Sequence, residues 1–196
     1  MKKRIAALAA ATALVCAAAF LLQTALEQRA LAEKIIRLHV VAASDTVEDQ
    51  AVKLRVRDSL LPVIAQATAD CGSAAEAEQA LRAAIPALTE AARAAAPGEE
   101  ISVTLAEEDF PRRLYDTFSL PAGRYTALRV TLGPGQGHNW WCVAFPALCL
   151  PATGEETEQT AVSAGFGREE RELMRDDSPR VELKFRCLEW LRSVFK

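Results

Sequence analysis

The side chains of this sequence with chemical reach are two histidines, His39 and His138, five cysteines, and carboxylates and guanidiniums spread along the chain. A bound metal needs three or four converging ligands. No cysteine pair here has the two-to-four-residue spacing of a zinc knuckle, so no metal site can be named. Thiol catalysis needs a base and an orienting group, for which Cys142, His39 and either Asp45 or Asn139 are the available set. Cys142, however, falls in a strand-like run rather than at a helix N-terminus that would lower its pKa. No catalytic residue and no cofactor is assigned. The loop Gly133-Pro134-Gly135-Gln136-Gly137 has the glycines of a phosphate cradle, but it leads into a Trp-rich strand and no Lys-Ser or Lys-Thr pair follows, which argues against nucleotide.

Trp140 and Trp141 are adjacent, and on a strand neighbours point to opposite faces, so one is expected in the core and the other exposed. A Trp flanked by Asn139 and the glycine loop is suited to anchoring a protein partner. Arg55, Arg57 and Asp58 read as a solvated helix face, with Arg57 in reach of Asp45 or Asp49. Beyond the first segment stand Cys71, Cys142, Cys149 and Cys187, an even number that allows three pairings where disulfides are permitted. A Cys142–Cys149 bridge needs Cα atoms within about 7 Å, whereas extended chain would hold them about 23 Å apart, so the chain must reverse at Phe145-Pro146. Cys187 shares a helical face with Leu183, Trp190 and Val194 and reads as a buried free thiol.

The elements that must position these residues follow from periodicity. Ile36, Leu38 and Val40 alternate against Arg37 and His39, predicting a strand over 35–41. Asp45 with Glu48 resembles a capping box, with Ser44 as a competing cap, and opens a helix over 46–69 that Pro62 should kink or break near Leu61. Ser73 with Glu76 opens a second helix, bent at Pro86 and ending at Pro97-Gly98. Strands follow at 101–105, 125–132 and 140–145, the glycine loop joining neighbouring antiparallel strands. Residues 152–175 are acidic and aperiodic apart from a helical turn at 169–174, and Ser178-Pro179 begins a terminal helix. The order β-α-α-β-β-β-α predicts an α+β fold, a mainly antiparallel sheet covered by helices behind an N-terminal hydrophobic leader.

Lys2, Lys3 and Arg4 precede an uncharged stretch from Ile5 to Leu22, half of it Ala. That is a basic n-region followed by an apolar h-region. Eighteen residues make a helix of about 27 Å against a hydrocarbon core of about 30 Å, so a cleaved signal peptide and a membrane anchor are both open. Two small-x-small cleavage candidates occur, Ala17-Ala18-Ala19 and Ala30-Leu31-Ala32, and the basic end should stay in the cytoplasm. Without the first 32 residues, 19 basic and 25 acidic residues remain. So acidic a domain, with no basic stripe, is a poor fit to nucleic acid or anionic lipid, leaving residues 5–22 as the membrane contact. The chain is expected to divide into a leader or anchor with stalk (1–32), an α/β core (33–151), an acidic mobile segment (152–177) and a terminal helix packing on the core (178–196).

Three blocks carry a family resemblance. His39-Val40-Val41-Ala42-Ala43-Ser44-Asp45, continuing through Glu48-Asp49-Gln50 and Lys53-Leu54-Arg55-Val56-Arg57-Asp58, is the first. Pro121-Ala122-Gly123-Arg124-Tyr125-Thr126-Ala127-Leu128 is the second. The most specific is the glycine loop running into His138-Asn139-Trp140-Trp141-Cys142-Val143 and on to Phe145-Pro146-Ala147-Leu148-Cys149. Together they resemble stage II sporulation protein R. One departure is Ala43, where the family pattern has Asn, which weakens any capping or partner role of that amide. The resemblance implies a protein made in the forespore, exported into the space between forespore and mother cell, secreted or N-terminally anchored there. It further implies activation of a membrane-embedded aspartic protease that matures a mother-cell sigma factor, a binding role without catalysis. His39, Asp45, Arg57, Asn139, Trp140 and Trp141 lie in these blocks and are the candidate partner surface, expected to converge at one sheet edge. The competing readings are an exported hydrolase using Cys142 and an envelope protein of unrelated role on the same fold.

Overall fold

The alternating run of Ile36, Leu38 and Val40 forms β1 (Ile36–Val41), buried along its whole length. The computed structural model describes residues 2–148 and 154–174. Around β1 the chain forms α1 (Lys2–Glu33), α2 (Val47–Thr68), α3 (Ala74–Ala95), β2 (Ile101–Phe110), a hairpin of β3 (Arg113–Leu114) and β4 (Ser119–Leu120), β5 (Gly123–Leu132), β6 (Asn139–Phe145), α4 (Gly154–Ser163) and α5 (Arg168–Met174). The main sheet has the order β2-β5-β1-β6. β1 pairs parallel with β5 and antiparallel with β6, and β2 pairs antiparallel with β5. This is the expected α+β architecture, with one parallel pairing at its centre.

Strand alternation gives the sheet two apolar faces. Leu38, Val40, Leu128, Val130 and Ala144 pack against α2 and α3, where Val56, Leu60, Ile64, Leu81 and Leu88 complete the first core. On the opposite face Tyr125, Ala127 and Val143 meet Phe110, Phe118 and Leu120, together with Leu31, Ile35, Phe166, Leu173 and Met174 from the chain's two flanks. Burial of each such Leu or Phe is worth roughly 1.5–3 kcal/mol.

Four sequence expectations are corrected. First, the glycine loop does not join neighbouring strands, because β1 lies between β5 and β6 and the loop crosses over its end. The backbone amides of Gln136 and Gly137 donate to the carbonyls of Ala43 (3.1 Å) and Ala42 (3.0 Å). A Cβ on Gly137 would lie 2.2 Å from the Ser44 carbonyl oxygen, and Gly133 and Gly135 have φ of 51° and 62°. These glycines serve close backbone passage. Second, the break weighed at Pro62 does not occur, and both α2 at Pro62 and α3 at Pro86 continue through the proline. The hydrogen bond lost at each proline is outweighed by the buried stripes on either side, Val56-Leu60-Ile64 in α2 and Leu81-Leu88 in α3. Third, β2 runs on through Glu107-Glu108-Asp109 to Phe110, since these carboxylates sit opposite Thr126, Tyr125 and Arg124 of β5. Fourth, the acidic stretch, read as aperiodic apart from a helical turn at 169–174, contains a further helix α4 besides α5, which includes that turn. α4 ends in a Schellman motif: Phe166 N–H donates to Ala161 O, Gly165 N–H donates to Val162 O, and Gly165 has φ 77°. Its apolar residues were too few for a helical period to be read, yet Ala161, Phe166, Leu173 and Met174 are buried. The terminal helix expected over 178–196 lies outside the described residues.

Candidate functional site

The glycine-loop end of the sheet gathers the motif residues. Asp45 accepts a hydrogen bond from the His138 backbone N–H at 2.6 Å and is also bonded to the His138 imidazole Nδ1. The imidazole, then the amide, hold the Asp45 carboxyl below its ordinary pKa. Asp45 therefore clamps the loop rather than capping α2. The cap is Thr46, whose hydroxyl accepts from Asp49 N–H at 3.2 Å, while Ser44 Oγ donates to the Asp49 carboxylate at 2.5 Å. Lys53, almost fully buried, donates to Gln50 Oε1 at 2.5 Å and to the His138 carbonyl at 3.0 Å. Burial lowers the pKa of its ammonium, partly offset by Asp45. Helix α2, the β1 end and the loop are thus tied at one point.

The strand period splits the remaining candidates between two faces. His39 is buried, with Nδ1 2.9 Å from Glu108 Oε2 and Nε2 2.9 Å from Asn139 Oδ1. Its ring lies 5.7 Å from that of Trp141 and 5.9 Å from that of Phe110. The Arg113 guanidinium lies 3.5 Å over the Trp141 ring. Trp140 points the other way, half-buried beside α2, with the Arg57 guanidinium 5.1 Å over its ring. Arg57 pairs with Asp58 at 2.7 Å, and the pairing with Asp45 or Asp49 does not form. The six candidates therefore do not share one face. Asp45 and Asn139 are exposed at the tip, Trp140 with Arg57 flanks it on one side, Trp141 flanks it on the other, and His39 supports it from inside.

Two residues that sequence reasoning missed organise the His39 face. Glu108, beyond the expected end of the strand at 105, reaches His39 and lies 3.5 Å from Arg129. Arg37 is fully buried, donating from Nε to the Cys142 carbonyl (3.2 Å) and from Nη2 to Tyr115 Oη (2.6 Å), with its guanidinium 4.5 Å over Phe110. Burial lowers the Arg37 pKa and raises that of Tyr115. Strand alternation did place Arg37 beside His39, but nothing in its type announced an aromatic enclosure.

The thiol set proposed for hydrolysis is separated by the sheet. Leu38 is the register partner of Cys142, so Cys142 faces α2 and α3 while His39 faces the opposite side. Cys142 is also disulfide-bonded, which removes the thiolate. Its proposed partner Cys149 lies outside the described residues, as does Cys187. Cys16 and Cys71 are free, and burial pushes the Cys71 thiol pKa up. Among the described residues no group of three or more His, Cys, Asp or Glu side chains is placed to hold a metal.

Fold and site define a class: an α+β domain behind one long apolar helix, with a clamped polar tip flanked by two Trp side chains. The chain belongs to the stage II sporulation protein R family, whose sequence model matches residues 32–155 and so takes in all three motif blocks. It is similar to stage II sporulation protein R of Bacillus subtilis (strain 168), with 32% identity over 184 residues, covering 83% of this chain and 82% of that relative. No solved structure matches it.

Proposed function

We propose that this protein is an exported signal of sporulation. Its domain binds the extracytoplasmic side of a membrane-embedded aspartic protease and favours the protease's active arrangement, so that a mother-cell sigma-factor precursor is cut. Family membership carries this reading. The apolar helix α1 supports delivery across the cytoplasmic membrane into the space between forespore and mother cell. The tip supports binding by surface fit. Exposed Asp45, His138 and Asn139 lie between half-buried Trp140 and Trp141, a polar centre with aromatic flanks of the kind that anchors protein partners.

Activation without catalysis has a thermodynamic requirement: the domain must bind the active arrangement of the protease more tightly than the inactive one. A tenfold shift in that equilibrium takes about 1.4 kcal/mol of differential affinity. The test is reconstitution of protease and precursor in vesicles, with and without this protein. Precursor cleavage that depends on the protein, and that falls when Trp140→Ala or Asp45→Ala is introduced into a folded domain, supports the reading. Absence of both binding and stimulation overturns it.

A further inference from the structure

The outer half of α1 does not behave as a linker. Every described side chain from Leu14 to Phe20 is exposed. From Leu21 onward the helix becomes one-sided: Leu21, Thr24, Ala25, Gln28, Leu31, Ala32 and then Ile35 are partly or fully covered. That spacing is one stripe of an α-helix. Thr24, Leu31 and Ile35 are exposed by only 1%, 0% and 1%, so the stripe enters the core formed with Tyr125, Phe110 and Phe118. Gly123 lacks a side chain where Gln28 passes, since a Cβ there would meet Gln28 Nε2 at 2.0 Å. Just past the helix end, Lys34 Nζ binds Glu170 Oε2 at 2.7 Å and the Gly165 carbonyl at 3.0 Å.

From this geometry we infer that the stalk from Leu21 to Glu33 is a permanent part of the exported domain, and that Ala30-Leu31-Ala32 is not its processing site. Export precedes folding, so burial alone does not shield a peptide bond from a signal peptidase. Hydrolysis of the Ala32–Glu33 bond, water leaving a carboxylate on Ala32 and an amine on Glu33, would strip Thr24, Gln28, Leu31 and Ala32 from the second core. Hydrolysis of the Ala19–Phe20 bond would leave the whole stripe in place. The mature chain therefore begins at or before Phe20.

A retained stalk also orients the domain. Gln28 passes Gly123 at the start of β5, whereas Ile36, three residues beyond the helix end, pairs with Thr126 further along β5 in a parallel register, so the end of α1 approaches the sheet in the direction of β5. The apolar run ends at Leu22, where polar Gln23 follows, six residues or about 9 Å before Gln28. Ten residues of β5 then carry the chain about 33 Å to the glycine loop. In the anchored form, Asp45, His138 and Asn139 lie at the end of the sheet away from the membrane that holds α1, at most about 40 Å above it.

The two cleavage candidates respond oppositely to substitution. Ala30 is exposed and occupies the first small position of the Ala30-Leu31-Ala32 site, whereas Leu31 is the unrestricted middle position and is fully buried. The N-terminus of the exported protein would be determined by mass spectrometry, with melting temperature measured for full-length Ala30→Asp and Leu31→Asp chains in detergent. The expected result is an N-terminus at or before Phe20, an unchanged product and melting point for Ala30→Asp, and a melting point lowered by several degrees for Leu31→Asp. An N-terminus at Glu33, a longer product from Ala30→Asp, or a silent Leu31→Asp would each overturn the inference.

Discussion

Lys53 binds oxygen atoms of Gln50 and His138 in a nearly closed site, and burial lowers its pKa from 10.5. Between the lowered native value and 10.5 the unfolded chain binds more protons, so stability rises with pH across that window. Below the native value the buried ammonium carries its full desolvation cost. Denaturant midpoints measured from pH 8 to 10.5 are expected to climb for the native protein relative to Lys53→Met, whose profile should be flatter. Gly137 gives a second residue-scale expectation: an added methyl meets the Ser44 backbone at 2.2 Å, so Gly137→Ala should lose about 1–3 kcal/mol in urea unfolding. The resemblance had already singled out this loop, and the Trp-rich strand after it, with no Lys-Ser or Lys-Thr pair, argued against a phosphate cradle. The glycines' actual task, passing over the end of β1, was hidden because strand order depends on contacts distant in sequence. Asp45 was likewise misread, as a cap, because Asp and Thr are both good caps and only the loop's return shows which one is free for that role.

At the scale of elements, Trp140 and Trp141 show what strand periodicity can and cannot deliver. Alternation correctly sends them to opposite faces, and both end half-buried rather than one in the core. The six candidates gather about one end of the sheet, but alternation divides them between its faces, His39 and Trp141 on one and Arg57 and Trp140 on the other. Trp140→Ala is expected to weaken partner binding by about 10- to 30-fold, or 1.4–2 kcal/mol, in equilibrium titration while leaving the far-ultraviolet spectrum intact. Leu60→Ala, by contrast, empties a fully buried site between α2 and the sheet and should cost about 2–5 kcal/mol of stability. Helices α2 and α3 were legible because Thr46 and Ser73 sit among cap-forming residues ahead of long apolar stripes. The turn at 169–174 within α5 was legible, whereas α4 was not, because so short a helix offers too few turns to reveal a period.

At the scale of the molecule, the described residues join an apolar helix, a two-faced four-stranded sheet and a clamped tip. The apolar N-terminal helix was readable from Lys2, Lys3 and Arg4 followed by uncharged residues, but the docking of its later half was not, because Gln28 looks like a solvent-facing residue until Gly123 is placed beneath it. Separation of Cys142 from His39 by the sheet makes a further expectation: a folded Cys142→Ser variant should retain signalling, measured as precursor processing in sporulating cells. The most direct measurement of the central claim is precursor cleavage in vesicles holding the membrane protease, before and after addition of the full-length protein in an opposing membrane. Cleavage is expected only after addition, reduced at least several-fold by Trp140→Ala. Equal cleavage in its absence, or none in its presence, would contradict it.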